Sequence, residues 1–344
     1  MGIKRSMPES IVSYRDTVLA ELKRVIDSYP SALCGMLRYH MGWQDEHGHS
    51  CDRESGRFAR SILCLLSCQA VGGDTSQILP GAAAIELIHN FSLIHDDIED
   101  VSDERHHRPT IWKLRGQSQA INAGDAMFTL AYVALLKLKE EGIDDERIAG
   151  AIRMLSLACL ELCDGQYLDI EYENRSDIAI EDYLDMTARK TAALFAVSTA
   201  LGAYLGNADS KLVDFFHMFG KELGIAYQIH DDISGIWGTS EKIGKSVGDI
   251  SQRKKTLPVV YGLQNSEGTE RKRLMKFYAQ ESIEGEDITE VKEILAQSGA
   301  RDYAENLAQQ YFHKALAHLE ATGLDSSRLA SLKDATNFIL RRDF

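Results

Sequence analysis

Residues 86–110 read ELIHNFSLIHDDIEDVSDERHHRPT. Around them Ile85, Ile88, Phe91, Leu93, Ile94 and Ile98 recur at helical rather than alternating spacing, and the run closes on four carboxylates, Asp96, Asp97, Glu99 and Asp100. Asp96 and Asp100 are four residues apart, so they share one helix face, where like charges repel unless a cation lies between them. Magnesium suits such a place: it takes oxygen ligands, uses one or two carboxylates, and fills its other positions with water and phosphate. A second pair, Asp231 and Asp232, follows His230 at the end of the apolar stretch from Leu223 to Ile229. Two aspartate pairs at the ends of two apolar helices read as two halves of one metal-diphosphate site. An acidic helix end alone is more often a solvated face. Here the basic set Arg105, Arg108, Lys190, Lys245, Lys254 and Lys255, placed at helix ends and loops, turns the reading toward a polyanionic ligand.

The 344 residues are 44% hydrophobic, enough for one large domain or two ordinary ones. Lysine and arginine number 38 against 52 acidic residues, a formal charge of −14, which repels nucleic acid and anionic membrane surfaces. An anionic ligand must therefore be captured locally. Five prolines and 26 glycines scattered among long helix-compatible runs favour an all-α chain. The N-terminal MGIKRSMPES lacks the apolar core of a secretory signal, and no uncharged apolar run reaches membrane-spanning length, so a soluble cytoplasmic protein without stable membrane insertion is expected. Cys64/Cys68 and Cys159/Cys163 lie at helical spacing in apolar runs and read as buried small hydrophobes.

Along the chain, an amphipathic helix is expected over 8–29, stopped by Pro30, then a short one to Tyr39 and a polar loop over 41–54. Ser55-Gly56-Arg57-Phe58-Ala59-Arg60 opens the next helix, where basic groups and free backbone N–H groups make an anion site. Long helices follow over Ile111 to Lys139 and Asp145 to Asp164, then 179–205 and 209–234. The polar, basic TSEKIGKSVGDISQRKK after Gly238 reads as a mobile flap, and helices resume at Thr256-Leu257-Pro258. No repeat or linker divides the chain, so residues 1–344 are read as one domain.

Five segments in this order resemble the trans-isoprenyl diphosphate synthases of the polyprenyl synthetase family, in particular bacterial geranylgeranyl diphosphate synthases. They are GRFAR (56–60), IELIHNFSLIHDDIED (85–100), RHHRPT (105–110), KTAALF (190–195), and QIHDD followed by GKSVGDISQRKKTLP. The resemblance implies an isoprenoid synthase type helical bundle of about a dozen helices around a deep central cavity, and a homodimer. It implies head-to-tail transfer of an allylic diphosphate onto isopentenyl diphosphate, with three magnesium ions per active site. Asp96, Asp97 and Asp100 match the first aspartate-rich motif, and Asp231 and Asp232 the second. Arg105, Lys190, Thr191, Gln228, Lys245 and Lys254 match groups around the allylic diphosphate; Arg57, Arg60, His89 and His106 match the isopentenyl pocket. No protein nucleophile is needed, because the metal ions and fixed cations take the leaving group's charge and exclusion of water protects the allylic cation.

Three positions depart from the family pattern: His106 stands where a second arginine is common, Gly235 replaces the last aspartate of the second motif, and Phe58 replaces an arginine. Loss of a full isopentenyl pocket would favour a terpene cyclase of the same fold, and a non-catalytic partner subunit is the reading from a different class. Chain length is read from Phe91, Ser92 and Ile88, which lie back along the helix from Asp96. At about 1.5 Å per residue, Phe91 is about 7.5 Å and Ile88 about 12 Å from it, so an aromatic ring there can floor the cavity. In the family an aromatic residue at the fifth position before the first aspartate, without one at the fourth, resembles some twenty-carbon enzymes. Geranylgeranyl diphosphate is therefore the expected product, with farnesyl diphosphate the alternative.

Overall fold

Pro80 at the start and an acidic turn at the end bound the helix that the central stretch predicts, Leu79–Glu99. The computed structural model describes residues 9–51, 56, 58–173, 175–238 and 248–341. Among them are fifteen α-helices, one π-helical turn and a two-stranded hairpin, an all-α architecture. In chain order the helices that matter below are α1 (Glu9–Asp27), α2 (Leu33–His40), α3 (Ala59–Val71), α4 (Leu79–Glu99), α5 (Ile111–Arg115), α6 (Gln117–Lys137), α7 (Asp145–Tyr172), α8 (Ile180–Thr187), α9 (Ala193–Leu205), α10 (Ser210–Trp237) and α11 (Leu257–Asn265). No helix among the described residues is long and apolar enough to cross a membrane.

The chain groups into two compact units. The first takes the chain as far as Leu157, with Val197–His217 and Glu320–Asp343; the second takes Ala158–Ala196 and Met218–Leu319. In the first, α4 is buried on every face over its early turns, with Ala82, Ala83, Ala84, Ile85, Leu87 and Ile88 all sealed from solvent. That composition removes the amphipathic stripe of a surface helix and makes α4 the axis of this unit. Its main partner is α6, whose Ala120, Ala123, Ala131 and Ala134 let the two backbones approach. Gly124 serves the same contact, since a Cβ there would overlap the His95 ring. The second unit packs Tyr183, Met186, Ala192, Ile225, Ile229, Leu257 and Val260 into one core cluster. A Cβ at Gly224 would come within 2.6 Å of Ala192 Cα, so α10 can lie against this segment only with glycine there.

Three expected helices differ from those observed. The run over 111–139 breaks at Gly116, whose φ of 82° no L side chain adopts readily, giving α5 and α6. The run over 179–205 is interrupted by a π-helical turn at Ala188–Ala192, around Lys190. The helix from Asp145 continues to Tyr172 rather than stopping at Asp164. Cys64, Cys68 and Cys159 are buried as expected, whereas Cys163 is exposed, one turn further on the outer face of α7.

Candidate active site

The last turn of α4 gathers Asp96, Asp97 and Glu99 ahead of the cap residue Asp100, with no basic residue in that turn. Carboxylates at a helix C-terminus face the negative pole of the helix dipole, so this arrangement is unfavourable until cations approach. One cation is built in. Arg105 Nε donates to Asp97 Oδ1 at 2.9 Å and Oδ2 at 3.1 Å, with Nη2 2.8 Å from Oδ1, and Asp97 is 3% exposed. Asp96 and Asp100 are half-exposed. Asp97 is thus held inward by its arginine, while Asp96 and Asp100 lie partly exposed one turn apart on the same helix end. Among the described residues no three acidic, imidazole or thiol groups form a closed metal cluster.

Beside this face lies a cationic and imidazole-rich group. Arg60, in the first turn of α3, brings Nη1 to 3.3 Å from His89 Nε2 on α4. A guanidinium can only donate, so His89 accepts at Nε2 and is neutral with its proton on Nδ1. Burial, then the positive charges of Arg60 and Arg105, hold the His89 pKa well below the usual value. His40 is neutral too. Its Nε2 lies 3.1 Å from Asn90 Oδ1, and because Asn90 Nδ2 donates to Glu86 O at 2.8 Å, the imidazole is the donor. Burial and then Arg105 push the His40 pKa down to about 3.

In the second unit, Lys190 Nζ donates to Asp169 Oδ2 at 2.5 Å and Lys254 Nζ lies 3.7 Å from the same oxygen. Burial alone would raise the Asp169 pKa, but the two ammonium groups outweigh it and hold it below normal. Asp231 is exposed. Asp232, 4% exposed, accepts from Tyr183 Oη at 2.6 Å, Gln228 Nε2 at 2.8 Å and the Leu257 amide at 2.8 Å. Burial pushes its pKa up to about 7, against those three donors, which pull it down. Thr191 Oγ1 donates to Gln228 Oε1 at 2.7 Å, which fixes the amide so that its nitrogen faces Asp232. Asp232 therefore ties α8, α10 and α11 together, while Asp231 is presented outward.

The acidic helix end with its arginine, the second acidic helix end and the Asp169 carboxylate with its two lysines all lie within the span that the polyprenyl synthetase family profile matches, residues 45–296. The chain belongs to the polyprenyl synthetase family. It is 36% identical over 324 residues to a geranylgeranyl diphosphate synthase of Mycobacterium tuberculosis, covering 94% of this chain and 90% of that one. To a (2E,6E)-farnesyl diphosphate synthase of the same organism it is 33% identical over 344 residues, covering 98% and 94%. The crystal structure of a polyprenyl synthetase from Streptomyces coelicolor A3(2) matches it with a TM-score of 0.88 at 33% identity, over 97% of this chain and all (100%) of that one. This polyprenyl synthetase is a prenyltransferase of the short-chain prenyl diphosphate type.

Several expected site residues of the synthetase are thus placed. Asp97 meets Arg105, Arg60 meets His89, Lys190 and Lys254 meet at Asp169, and Thr191 donates to Gln228, which in turn donates to Asp232. Arg57, Lys245 and most of the expected flap (239–247) lie outside the described residues. The part of that stretch that is described, from Gly248, folds into a turn, with the Lys254 amide donating to Asp249 O at 3.0 Å. Phe58 explains one departure from the family pattern: its ring is 2% exposed and belongs to the core, so it is a packing group. Arg108 donates to Tyr39 O and Gln44 O, both at 2.9 Å, and pins the hairpin instead of acting as loose charge. Trp112 does likewise, donating to Ser102 O at 2.7 Å.

Asp169 and Tyr183 escaped the sequence reading. Asp169 sits in LCDGQYLDIEYE among other acidic residues, and only the fold shows that one of them faces both lysines. The hairpin was missed as well. Arg105 pairs with Arg108, leaving His106 and His107 as a two-residue loop, both with positive φ (51° and 57°). Such a loop normally uses Asn-Gly. His107→Gly is accordingly expected to raise the stability of the synthetase by up to about 1 kcal/mol, the cost of left-handed backbone in an L-residue. Thermal unfolding of the variant beside wild type checks it.

Proposed function

We propose that the chain condenses an allylic diphosphate with isopentenyl diphosphate and releases geranylgeranyl diphosphate. The observation that carries this reading is the α4 terminus, where Arg105 neutralises the buried Asp97 while Asp96 and Asp100, four residues apart, are partly exposed on the same helix end. Relatives named as both geranylgeranyl and farnesyl diphosphate synthases keep farnesyl diphosphate as the second reading.

In this reading Asp96 and Asp100, backed by Asp97, and Asp231, backed by Asp232, hold magnesium, three ions in all, which when bound neutralises the departing diphosphate. Arg105, Lys190, Lys254 and Lys245 share the negative charge that develops on the allylic diphosphate. Thr191 and Gln228 keep the neighbouring backbone and carboxylate in register. Asp169 parks the Lys190 ammonium where substrate can take it over, and two cations at one carboxylate leave positive charge for a phosphate. Arg57, Arg60 and His106 bind the diphosphate of isopentenyl diphosphate, while neutral His89 adds a donor at Nδ1. The bond forms between the allylic carbon and the isopentenyl double bond, and loss of a proton ends the step. Apolar α4 and α6 side chains exclude water from the cation.

The chain is further proposed to act as a single synthase domain, since the family profile spans both units, and as a homodimer. Ile121, Val133 and Leu136 leave an apolar stripe exposed on α6 that a second copy would cover. Purified protein incubated with magnesium and farnesyl diphosphate, with and without isopentenyl diphosphate, tests the reaction. Product only with both substrates supports it; hydrocarbon from farnesyl diphosphate alone makes the chain a cyclase, and no product in either makes it a non-catalytic subunit.

Phe91 carries the chain-length reading. Its ring is 9% exposed and meets the edges of His95 and Phe128, both with centroids at 5.2 Å. Phe91→Ala is expected to lengthen the product past twenty carbons. A variant that loses the about 3–5 kcal/mol typical of a core ring and still makes the wild-type product would show that Phe91 is packing alone.

A further inference from the structure

Gly235 lies inside α10, two residues before its end, with no unusual φ to require glycine. Glycine at such a position weakens a helix relative to alanine, so a reason must lie in space rather than in backbone conformation. The space is filled by Asp249. A Cβ at Gly235 would come within 2.8 Å of Asp249 Cγ and overlap Oδ2, and a Cβ at Gly248 would lie 3.6 Å from the Gly235 carbonyl oxygen. The carboxylate of Asp249 therefore rests on α10 one turn beyond Asp231, at the place a side chain at 235 would leave the helix.

We propose that Asp249 supplies the third carboxylate of the second acidic motif, with Gly235 kept side-chain-free to admit it. The inference rests on the metal-diphosphate reading of that motif and assigns one more residue to it. Position 235 departs from the family pattern by losing an aspartate, and the segment after it returns a carboxylate to the same location from outside the helix. The negative charge of Asp249 is also felt at Asp232, which places the two groups in one electrostatic neighbourhood. A hydrogen bond to Tyr278 is not what holds Asp249 there, because the buried Tyr278 hydroxyl has no partner among the described residues. Asp249 acts on the reaction as a positioning residue for the cation beside Asp231, and Gly235 acts through Asp249.

The two residues are thus coupled by volume, and a variant series tests the coupling on the full chain. Asp249→Asn keeps the shape and removes the charge; Gly235→Ala displaces the carboxylate while improving helix propensity; Gly235→Asp with Asp249→Gly moves the carboxylate back onto α10. Binding of Mn²⁺ in the presence of inorganic pyrophosphate, followed by electron paramagnetic resonance, is read beside thermal unfolding and product formation. Asp249→Asn and Gly235→Ala are each expected to weaken Mn²⁺ binding about 10- to 100-fold, the usual loss when a metal's supporting carboxylate is removed, with the melting temperature of Gly235→Ala unchanged or raised. The double variant is expected to recover most of the affinity. Unchanged Mn²⁺ affinity in both single variants, or a double variant no better than the worse single, overturns the assignment. Absence of prenyl product from the wild type would instead count against the reaction itself, and the Mn²⁺ measurement still reports on Asp249.

Discussion

Asp96→Ala is expected to leave the synthetase folded and to lower its turnover about a thousandfold, the scale of losing one group aimed at charge that develops in a transition state. Stability and activity should move in opposite directions. Asp96 sits at the negative pole of α4, one turn from Asp100, so in the absence of a cation its removal relieves repulsion worth a few tenths of a kcal/mol. Asp97→Ala is the contrast, because it strands Arg105, whose side chain is 16% exposed. Breaking a largely buried pair from one side costs about 3 kcal/mol, so this variant should lose stability first. Circular dichroism, thermal unfolding and turnover of the two variants separate the cases. Near-normal turnover in Asp96→Ala with an unchanged helical spectrum would remove the metal assignment.

Lowering the pH from 7 to 5 is expected to destabilise the first unit through two histidines, His40 alone contributing about 2 kcal/mol. His40 titrates near 3 in the folded chain and His89 well below its usual value, whereas both titrate near 6.5 when unfolded. Between those values the unfolded chain binds more protons, so stability rises with pH. For His40 the contribution is complete above about pH 6.5 and is lost at roughly 1.4 kcal/mol per unit as the pH falls toward 3, and His89 acts in the same direction. Glu86 works in the other direction at lower pH, since burial raises its pKa. Glutamine can replace both imidazoles in kind, donating to Asn90 from position 40 and accepting from Arg60 at position 89. The urea midpoint of His40→Gln/His89→Gln should therefore change less between pH 7 and 5 than that of wild type. Parallel pH profiles for the two proteins would show that neither histidine is held neutral.

Periodicity was enough to find α1, α2, α4 and α10, because each buries one continuous apolar set whose spacing is a property of the helix alone. Local signals also placed the start of α11, where Pro258 occupies the first turn. What escaped was decided by distant partners. The π-helical turn at Lys190 depends on Gly165 of α7, where a Cβ would lie 2.5 Å from Lys190 Cα. The inward set of Asp97 depends on Arg105, eight residues along. Asp232 reads in the sequence as a twin of Asp231, yet it is held by Tyr183, Gln228 and the Leu257 amide from three other turns of chain. Spacing identifies which residues share a face; it does not say which face a neighbouring helix will cover.

Six non-glycine residues of the described chain have positive φ, and five of them, Phe58, Val101, His106, His107 and Arg253, adjoin the acidic and basic motifs; Asn207 is the exception. Val101 is the most strained by type, a β-branched residue in the left-handed region immediately after Asp100. Selection for heat resistance alone would thus drift toward glycine at 101, 106, 107 and 253. The clones that survived longest at high temperature would be those whose turns no longer fix the aspartate, arginine and lysine beside them, and durability would have been gained at the expense of the catalyst's aim.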